Sequence, residues 1–230
     1  MGRRAAAEFV GTAFLVMAVV GSGVMASRLS PDDAGLQLLQ NSLATGAALV
    51  ALIVALQPVS ASFNPVVTLV ERALGMIDTR TAAGLVGAQV LGGLAGTVAA
   101  NLMFGLDAVA FSTHHRTGPS LWLGEVIATV GLLVVVFGTV RSGRADRVAF
   151  AVGGYITAAY WFTSSTSFAN PAVTIARTVT DTFAGIAPSS APAFILAQLL
   201  GGAAGYALVR FLYPPLATSA VVTADRKVLS

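Results

Sequence analysis

The dipeptide Asn-Pro occurs twice in the chain, at Asn64-Pro65 and Asn170-Pro171, and each copy follows a long apolar segment and begins a short one. Asn is favoured at the N-cap of a helix and Pro at the first helical position, so each pair predicts a helix start. The Asn side-chain amides could also donate hydrogen bonds to a small molecule. A helix that starts inside a bilayer must line a water-filled cavity or be buried in protein. Two such starts indicate a pore.

Two carboxylates, Glu8 and Glu125, lie well inside apolar segments. A carboxylate within a membrane is by default a functional or anchoring group. One such residue per half of the sequence favours an anchor that accepts hydrogen bonds from non-helical backbone near the Asn-Pro pairs. The binding of protons or ions by a transporter is the alternative. The side-chain amides of Gln89 and Gln198 are predicted to form hydrogen bonds with the same non-helical backbone.

The apolar segments contain no candidate nucleophile–base pair and no cluster of metal ligands. The chain also has no Cys, which excludes disulfides and thiolate metal sites. The sequence therefore predicts neither an enzyme nor a protein that depends on a metal or a cofactor.

The elements that must position these residues are membrane helices. The chain has 230 residues, of which 56% are hydrophobic and 10% are charged, whereas a soluble domain has about 25% charged residues. A span takes about 20 apolar residues. One membrane domain over 1–230 is predicted, with six spans near 5–26, 35–57, 82–104, 121–140, 147–163 and 192–213.

The basic residues predict how the helices are oriented. If the N terminus is cytoplasmic, ten of the 13 Lys and Arg residues, Arg226 and Lys227 among them, lie on that side. Only Arg28, Arg116 and Arg177 fall in the outer half. Both termini are then cytoplasmic, and the expected location is the inner (plasma) membrane. The basic character of the chain follows from this topology, so the expected partners are lipid, water and small neutral solutes, and no nucleic acid.

The two halves, about 1–115 and 120–230, form a repeat. Glu8-Phe-Val-Gly-Thr corresponds to Glu125-Val-Ile-Ala-Thr, and Ala88-Gln-Val-Leu-Gly-Gly corresponds to Ala197-Gln-Leu-Leu-Gly-Gly. Each half has three spans, an odd number, so the second half must be inverted relative to the first. Inverted repeats with broken helices place their site near the middle of the membrane. Short helices near 64–74 and 170–178 are therefore predicted to enter from opposite faces and meet at their N-termini.

With these motifs the chain resembles the aquaporin and glycerol-facilitator family, the major intrinsic proteins. The box Asn170-Pro171-Ala172 matches the Asn-Pro-Ala of the family, and Asn64-Pro65-Val66 differs at its third position. The resemblance implies an all-α hourglass pore of six membrane helices and two re-entrant half-helices, with both boxes at its central constriction. It also implies a homotetramer and passive conduction.

The resemblance further implies an outer constriction that acts as a selectivity filter. The Arg that usually follows the second box is replaced by Val173, and a count without gaps places the other three filter positions at Ala44, Ala158 and Ser167. These small side chains predict a wide filter. Arg177, four residues further on, could reach back to the filter or its vestibule. A gap of one residue would instead bring Thr45, Ala159 or Tyr160 into the lumen.

The predicted function is a passive channel for water or small uncharged solutes such as polyols, urea and neutral metalloid acids. A narrow pore selective for water is the first alternative. A secondary transporter that uses Glu8 or Glu125 is the second, because transporters also contain inverted repeats and broken helices. A non-conducting role at membrane junctions is the third.

Overall fold

The protein is described here by a computed structural model that covers residues 1–214. The elements in chain order are α1 (Gly2–Leu29), α2 (Ala34–Leu56), α3 (Pro65–Ala73), α4 (Thr79–Met103), α5 (Pro119–Arg141), α6 (Val148–Phe162), α7 (Pro171–Ala176) and α8 (Ala191–Leu212). Short 3₁₀ turns at 145–147 and 177–179 precede α6 and follow α7. Six long helices and two short ones confirm the predicted fold class.

Five of the long helices, α1, α2, α4, α5 and α8, are long and apolar enough to cross a membrane. Helix α6 has 15 residues, which at 1.5 Å per residue is about 22 Å. The chain that follows α6 continues into the bundle, where Thr163 and Ser165 are buried. The fifth predicted span, 147–163, is thus a shorter helix whose path is completed by non-helical chain inside protein.

The two short helices start as their sequences predict. Asn64 has extended backbone angles, and its side chain accepts a hydrogen bond from the N–H of Val66. Asn170 accepts from the N–H groups of Ala172 and Val173. Each Asn therefore caps its helix, and the Pro that follows occupies the first turn.

The bundle has two ends, which we call the near face, where α1 begins, and the far face, where α1 ends. At the near face Gln57 donates to the carbonyl of Ala145, 2.9 Å away. At the far face the N–H of Thr113 donates to Asp181 at 2.9 Å. Helix α3 starts in the middle and returns to the near face, and α7 starts in the middle and returns to the far face. This is the inverted arrangement that the repeat predicts.

Glycines allow the long helices to approach closely in pairs. A Cβ on Gly92 of α4 would lie 2.3 Å from the carbonyl oxygen of Phe9, and one on Gly96 would lie 2.2 Å from that of Ala13. In the second half, a Cβ on Gly201 would lie 2.7 Å from the carbonyl oxygen of Val126. Small residues permit such contacts where no hydrophobic effect drives helix association. These glycines therefore pack α4 on α1 and α8 on α5 within the chain.

Each half-helix is held partly by the opposite half of the chain. Val66 of α3 lies over Gly202 of α8, where a Cβ would be 2.7 Å from its Cγ1. Ala176 of α7 lies over Gly93 of α4, where a Cβ added to Gly93 would be 3.0 Å from the Cβ of Ala176. The two halves interlock in this way, and the start of each half-helix is fixed near the centre.

Candidate functional site

The two box asparagines meet at the centre of the molecule. The Asn64 Nδ2 donates to the carbonyl of Ala169 at 2.7 Å, and the Asn170 Nδ2 donates to the carbonyl of Phe63 at 2.7 Å. An amide NH₂ has two N–H donors, so each Asn keeps one for another acceptor. Both residues line the central cavity. The N-terminal ends of two helices, which carry partial positive charge, converge on the same point.

Glu8 is completely buried and holds the first re-entrant loop. Its Oε1 accepts from the Ser60 hydroxyl at 2.6 Å and from the Ser62 N–H at 2.8 Å. Its Oε2 accepts from the Phe63 N–H at 2.7 Å and from Gln89 Nε2 at 2.8 Å. The carboxylate therefore satisfies loop N–H groups that the membrane interior could not, which matches the anchoring hypothesis.

Glu125 occupies the corresponding place in the second half. It accepts from the N–H groups of Phe168 and Ala169 at 2.9 and 2.8 Å, and from Gln198 Nε2 at 2.7 Å. Gln198 Nε2 also donates to the hydroxyl of Thr174 at 2.8 Å. Each Glu–Gln pair thus ties a loop to the half-helix that follows it.

The loops need this support because their backbone is strained. Among residues 1–214, four non-glycine residues have positive φ angles, namely Phe63 (47°), Thr166 (61°), Ser167 (50°) and Ala169 (48°). Residues other than Gly rarely adopt such angles, and they persist only where the surroundings impose them. All four lie just before the box asparagines, where the loops present their carbonyl groups to the centre.

A cavity of about 280 Å³ runs from Arg4 and Gln57 at the near face, past both asparagines, to Thr45 and Arg177 towards the far face. The re-entrant loops and half-helices supply most of its polar groups. The opposite wall is apolar and comes from four long helices. It is formed by Leu15, Val19, Leu49, Ile53, Leu132, Val136, Val140, Val148, Val152 and Ile156.

Two of the predicted filter residues lie elsewhere. Ala158 is exposed on the outside of the bundle, and Ala44 is half-buried beside the lumen-facing position. Thr45 and Tyr160 line the cavity instead, and their hydroxyl oxygens lie 3.2 Å apart. An α-helix turns by about 100° per residue, so an error of one or two positions selects a different face. The prediction of Ala44 and Ala158 is therefore corrected to Thr45 and Tyr160, which the alternative with a gap contained.

The close approach of α2 and α6 brings these two residues together. A Cβ on Gly46 would lie 3.0 Å from the carbonyl oxygen of Gly153, and a Cβ on Gly153 would lie 2.8 Å from that of Gly46. The neighbouring Thr45 and the Tyr160 on the same side of α6 then face the lumen. Glycine at both positions is the sequence signal that could have identified this contact.

Ser167 and Val173 both line the cavity, where the count without gaps places them. The hydroxyl oxygen of Ser167 is buried and has no hydrogen-bond partner among residues 1–214. Val173 presents an apolar side chain on the first turn of α7.

Arg177 also reaches the cavity. Its guanidinium carbon lies 3.5 Å from the centre of the Phe168 ring, and its Nε donates to the carbonyl of Ala184. A cation over an aromatic face is stabilised by the ring quadrupole. Arg116 lies near the same ring, with its guanidinium carbon 5.3 Å from the centre. An arginine thus reaches this part of the cavity from a position one turn further along than Val173.

The third position of the first box is not a lumen residue. Val66 is buried against Gly202, and the cavity is lined by its neighbour Val67. The difference between Asn-Pro-Val and Asn-Pro-Ala therefore concerns the packing of α3 on α8. Within residues 1–214 no group of three or more potential metal ligands is found.

Comparisons with known proteins agree with this geometry. The model of the family described as "Major intrinsic protein" matches residues 1–159 and 125–229. Aquaglyceroporin AqpS of Rhizobium meliloti (strain 1021) is 51% identical over 214 residues, which cover 93% of this chain and 91% of AqpS. Aquaporin A of Dictyostelium discoideum is 34% identical over 161 residues, which cover 64% of this chain and 56% of that protein.

Among solved structures, the X-ray structure of the aquaglyceroporin from Plasmodium falciparum has the same fold. Its TM-score is 0.67 at 18% sequence identity, over 89% of this chain and 93% of that one. At this level of identity the likeness concerns the fold alone. The family model, the relatives and the paired half-helices lead to one conclusion: the chain belongs to the major intrinsic protein family.

Proposed function

We propose that the central cavity is the path by which water and small uncharged solutes, polyols such as glycerol among them, cross the membrane. The chain is a membrane channel for water and small solutes, and conduction is passive, without turnover chemistry. One observation carries the proposal: a single cavity passes both box asparagines and has a polar side opposite an apolar wall. A polyol has the same two-sided character, with hydroxyl groups along one edge and C–H groups along the other.

The polar side can replace the water that a solute loses on entry. Asn64 and Asn170 line the lumen, and each has one side-chain N–H donor that no described residue uses. A buried polar group without a partner costs free energy, so solutes that supply acceptors and donors are favoured. Urea and neutral metalloid acids belong to the same size and polarity class as glycerol. The relative named an aquaglyceroporin supports the assignment to polyols.

The proposed filter consists of Thr45, Tyr160, Ser167, Val173 and Arg177. Its hydroxyl groups and its guanidinium orient a solute, and Val173 leaves room that a larger side chain would fill. The Arg177 charge, together with the positive ends of α3 and α7, raises the energy of cations and protons in the lumen. The filter therefore admits neutral molecules larger than water and excludes cations.

The test is solute flux into proteoliposomes that contain the wild-type protein, Val173→Arg or Val173→Leu. Val173→Arg is expected to lower glycerol and urea permeability about tenfold, which corresponds to about 1.4 kcal/mol of added barrier. Water permeability should fall much less. Val173→Leu adds bulk without charge and separates the two effects. An equal reduction for water, glycerol and urea would place Val173 outside the filter.

The alternatives predict different results in the same assay. A narrow water pore gives wild-type vesicles that swell in water gradients and exclude glycerol. A non-conducting protein gives swelling that matches empty vesicles. A secondary transporter gives uptake that depends on a proton gradient and is lost in Glu8→Gln or Glu125→Gln. The structure gives the transporter little support, because loop donors occupy both carboxylates.

For orientation we propose that the near face is cytoplasmic and that the membrane is the inner (plasma) membrane. Arg3, Arg4, Arg72, Arg80, Arg141, Arg144, Arg147 and Arg210 lie at or near this face, as the positive-inside rule requires. Arg226 and Lys227, which the sequence assigns to the same side, lie outside the described residues. A homotetramer is the proposed assembly, and chemical cross-linking of the purified protein tests it by the mass of the largest product.

A further inference from the structure

Two residues of opposite charge, Glu71 on α3 and Arg177 just after α7, occupy matching positions in the two halves. Glu71 lies seven residues after Asn64, and Arg177 lies seven residues after Asn170. Both side chains line the cavity, although the half-helices run towards opposite faces. The inverted repeat therefore places an anionic group in the near half of the lumen and a cationic group in the far half. The filter described above uses only the cationic one.

Glu71 is less saturated with hydrogen bonds than the two anchoring carboxylates. Its oxygens accept from one side-chain donor, the Ser62 hydroxyl, which lies 3.1 Å from each of them. Glu8 accepts from four donors. An ionised carboxylate offers about four acceptor sites. Most of the acceptor capacity of Glu71 is therefore open to the lumen.

The surroundings of Glu71 favour a functional role over a structural one. Arg4 lines the same mouth of the cavity, but within the described part of the chain Glu71 forms no ion pair. It is half-buried, and the carboxylate makes no hydrogen bond to the loop backbone that Glu8 holds. A charged group that lies in a pore and does not hold loop backbone in place is a candidate binding residue.

We propose that Glu71, oriented by Ser62, is a binding site for hydroxyl groups of polyols in the near half of the pore. This inference rests on the proposed function. As a polyol crosses the pore, its oxygen lone pairs accept hydrogen bonds from Arg177, Asn170 and Asn64. Its own O–H groups must also find acceptors. A carboxylate accepts them with hydrogen bonds about twice as strong as those between neutral groups. Glu71 thus lowers the cost of dehydrating a polyol and selects solutes with several hydroxyl groups.

The experiment compares glycerol and water permeability of proteoliposomes that contain wild-type protein, Glu71→Gln, Glu71→Asp or Arg72→Gln. Glu71→Gln is expected to reduce glycerol permeability about five- to tenfold, the scale of one weakened charge-assisted hydrogen bond, and water permeability less than twofold. Glu71→Asp retains the charge and should recover part of the glycerol flux. Arg72→Gln is the matched control, because it removes a charge from the same half-helix at a residue that does not line the cavity.

The possible outcomes separate this inference from the function on which it rests. If Glu71→Gln conducts glycerol like wild type while Val173→Arg still reduces it, the binding site is wrong and the channel stands. If Glu71→Gln lowers water and glycerol equally and melts at the wild-type temperature, Glu71 sets the pore width and the inference also fails. Wild-type vesicles that take up glycerol no faster than empty ones would overturn the proposed function itself.

Discussion

The two re-entrant segments both hold non-helical backbone inside the membrane, and they do so with different numbers of hydrogen bonds. In each, one Glu accepts hydrogen bonds from two N–H groups of the loop. One Gln links this Glu to the half-helix, through Thr68 in the first half and Thr174 in the second. The first half adds a serine hydroxyl, so Glu8 has four donors and Glu125 has three. The centre of the pore is nearly symmetric, and its ends are not.

Packing around the loops differs in the same way. In the first half the Phe63 ring lies over Gly11, where a Cβ would be 2.0 Å from the ring. The corresponding positions of the second half are Ala169 and Ala128, and both are fully buried. The first half thus has a large residue and a glycine at two positions where the second half has two alanines. The repeat thus keeps the hydrogen bonding around each loop, while the side chains packed beside the loops differ in size.

The largest expected effect concerns the two anchors. Glu8→Gln should lower the free energy of unfolding by about 2–4 kcal/mol, because an NH₂ group would then face loop donors that need an acceptor. Glu125→Gln should cost less, since one fewer donor depends on it. Thermal unfolding of the purified proteins in detergent measures both. A larger loss for Glu125→Gln would contradict the ranking of the two halves.

The next effect tests the contact between Gly11 and the Phe63 ring. Gly11→Ala should cost about 1–3 kcal/mol, as expected for overpacking of a filled site, because its Cβ meets the Phe63 ring. In a Phe63→Ala background, where the ring is absent, Gly11→Ala should cost much less than it does in the wild type. Gly87→Ala is the control, since no described heavy atom lies within 4 Å of its Cβ position. Thermal unfolding that gives the same cost for Gly11→Ala in both backgrounds would refute the contact.

A smaller effect separates the third box position from the lumen. Val66→Ala should destabilise the protein by about 1–2 kcal/mol through the loss of buried methyl groups over Gly202. It should leave the ratio of glycerol to water permeability unchanged. Val173→Ala, at the lumen, should change that ratio with little effect on the melting temperature. A changed ratio in Val66→Ala would show that this side chain reaches the pore.

The smallest effect concerns the loops at the two faces. The backbone and side-chain hydrogen bonds from Thr113 lower the pKa of Asp181, and those from Thr81 lower the pKa of Asp78. Since both folded-state pKa values lie below the ordinary value, the contacts contribute above that value and are lost as the pH falls through the lowered pKa. Asp181→Asn at neutral pH should speed hydrogen exchange of the far-face loop 105–118, and acidification should speed it relative to the intrinsic exchange rate at each pH. Asp78→Asn is the control, and an unchanged loop would refute the contact.

Much of the fold follows from local patterns in the sequence. Hydropathy predicts the six long helices to within a few residues at most ends, because each is a continuous apolar segment and five of them are long enough to cross a membrane. The half-helices follow from Asn and Pro, which act on the first turn alone. Glu8 and Glu125 were singled out because a carboxylate is costly in an apolar segment, and the structure places both against the re-entrant loops.

The filter was harder to predict because it depends on which face of a helix meets the lumen. Counting from the boxes selects Ala44 and Ala158, whereas Thr45 and Tyr160 line the cavity. Each residue along a helix rotates the side chain by about 100°, so a small error in the count selects another face. The sequence also does not predict that Val66 packs on Gly202 or that Glu71 lines the cavity. Both depend on contacts with segments that are distant in sequence or on a lumen that several helices form together.

The sequence by itself determined that this chain spans a membrane, that its halves are inverted repeats, and that two helices start at its centre. These properties arise from hydropathy, capping and repeated motifs, which act over a few residues. Only the tertiary structure decided which side chains face the pore. It placed Val66 on Gly202 and placed Glu71 and Arg177 in the near and far halves of the lumen. Helix rotation and close approach are set by packing between segments far apart in the chain, and no local pattern specifies them.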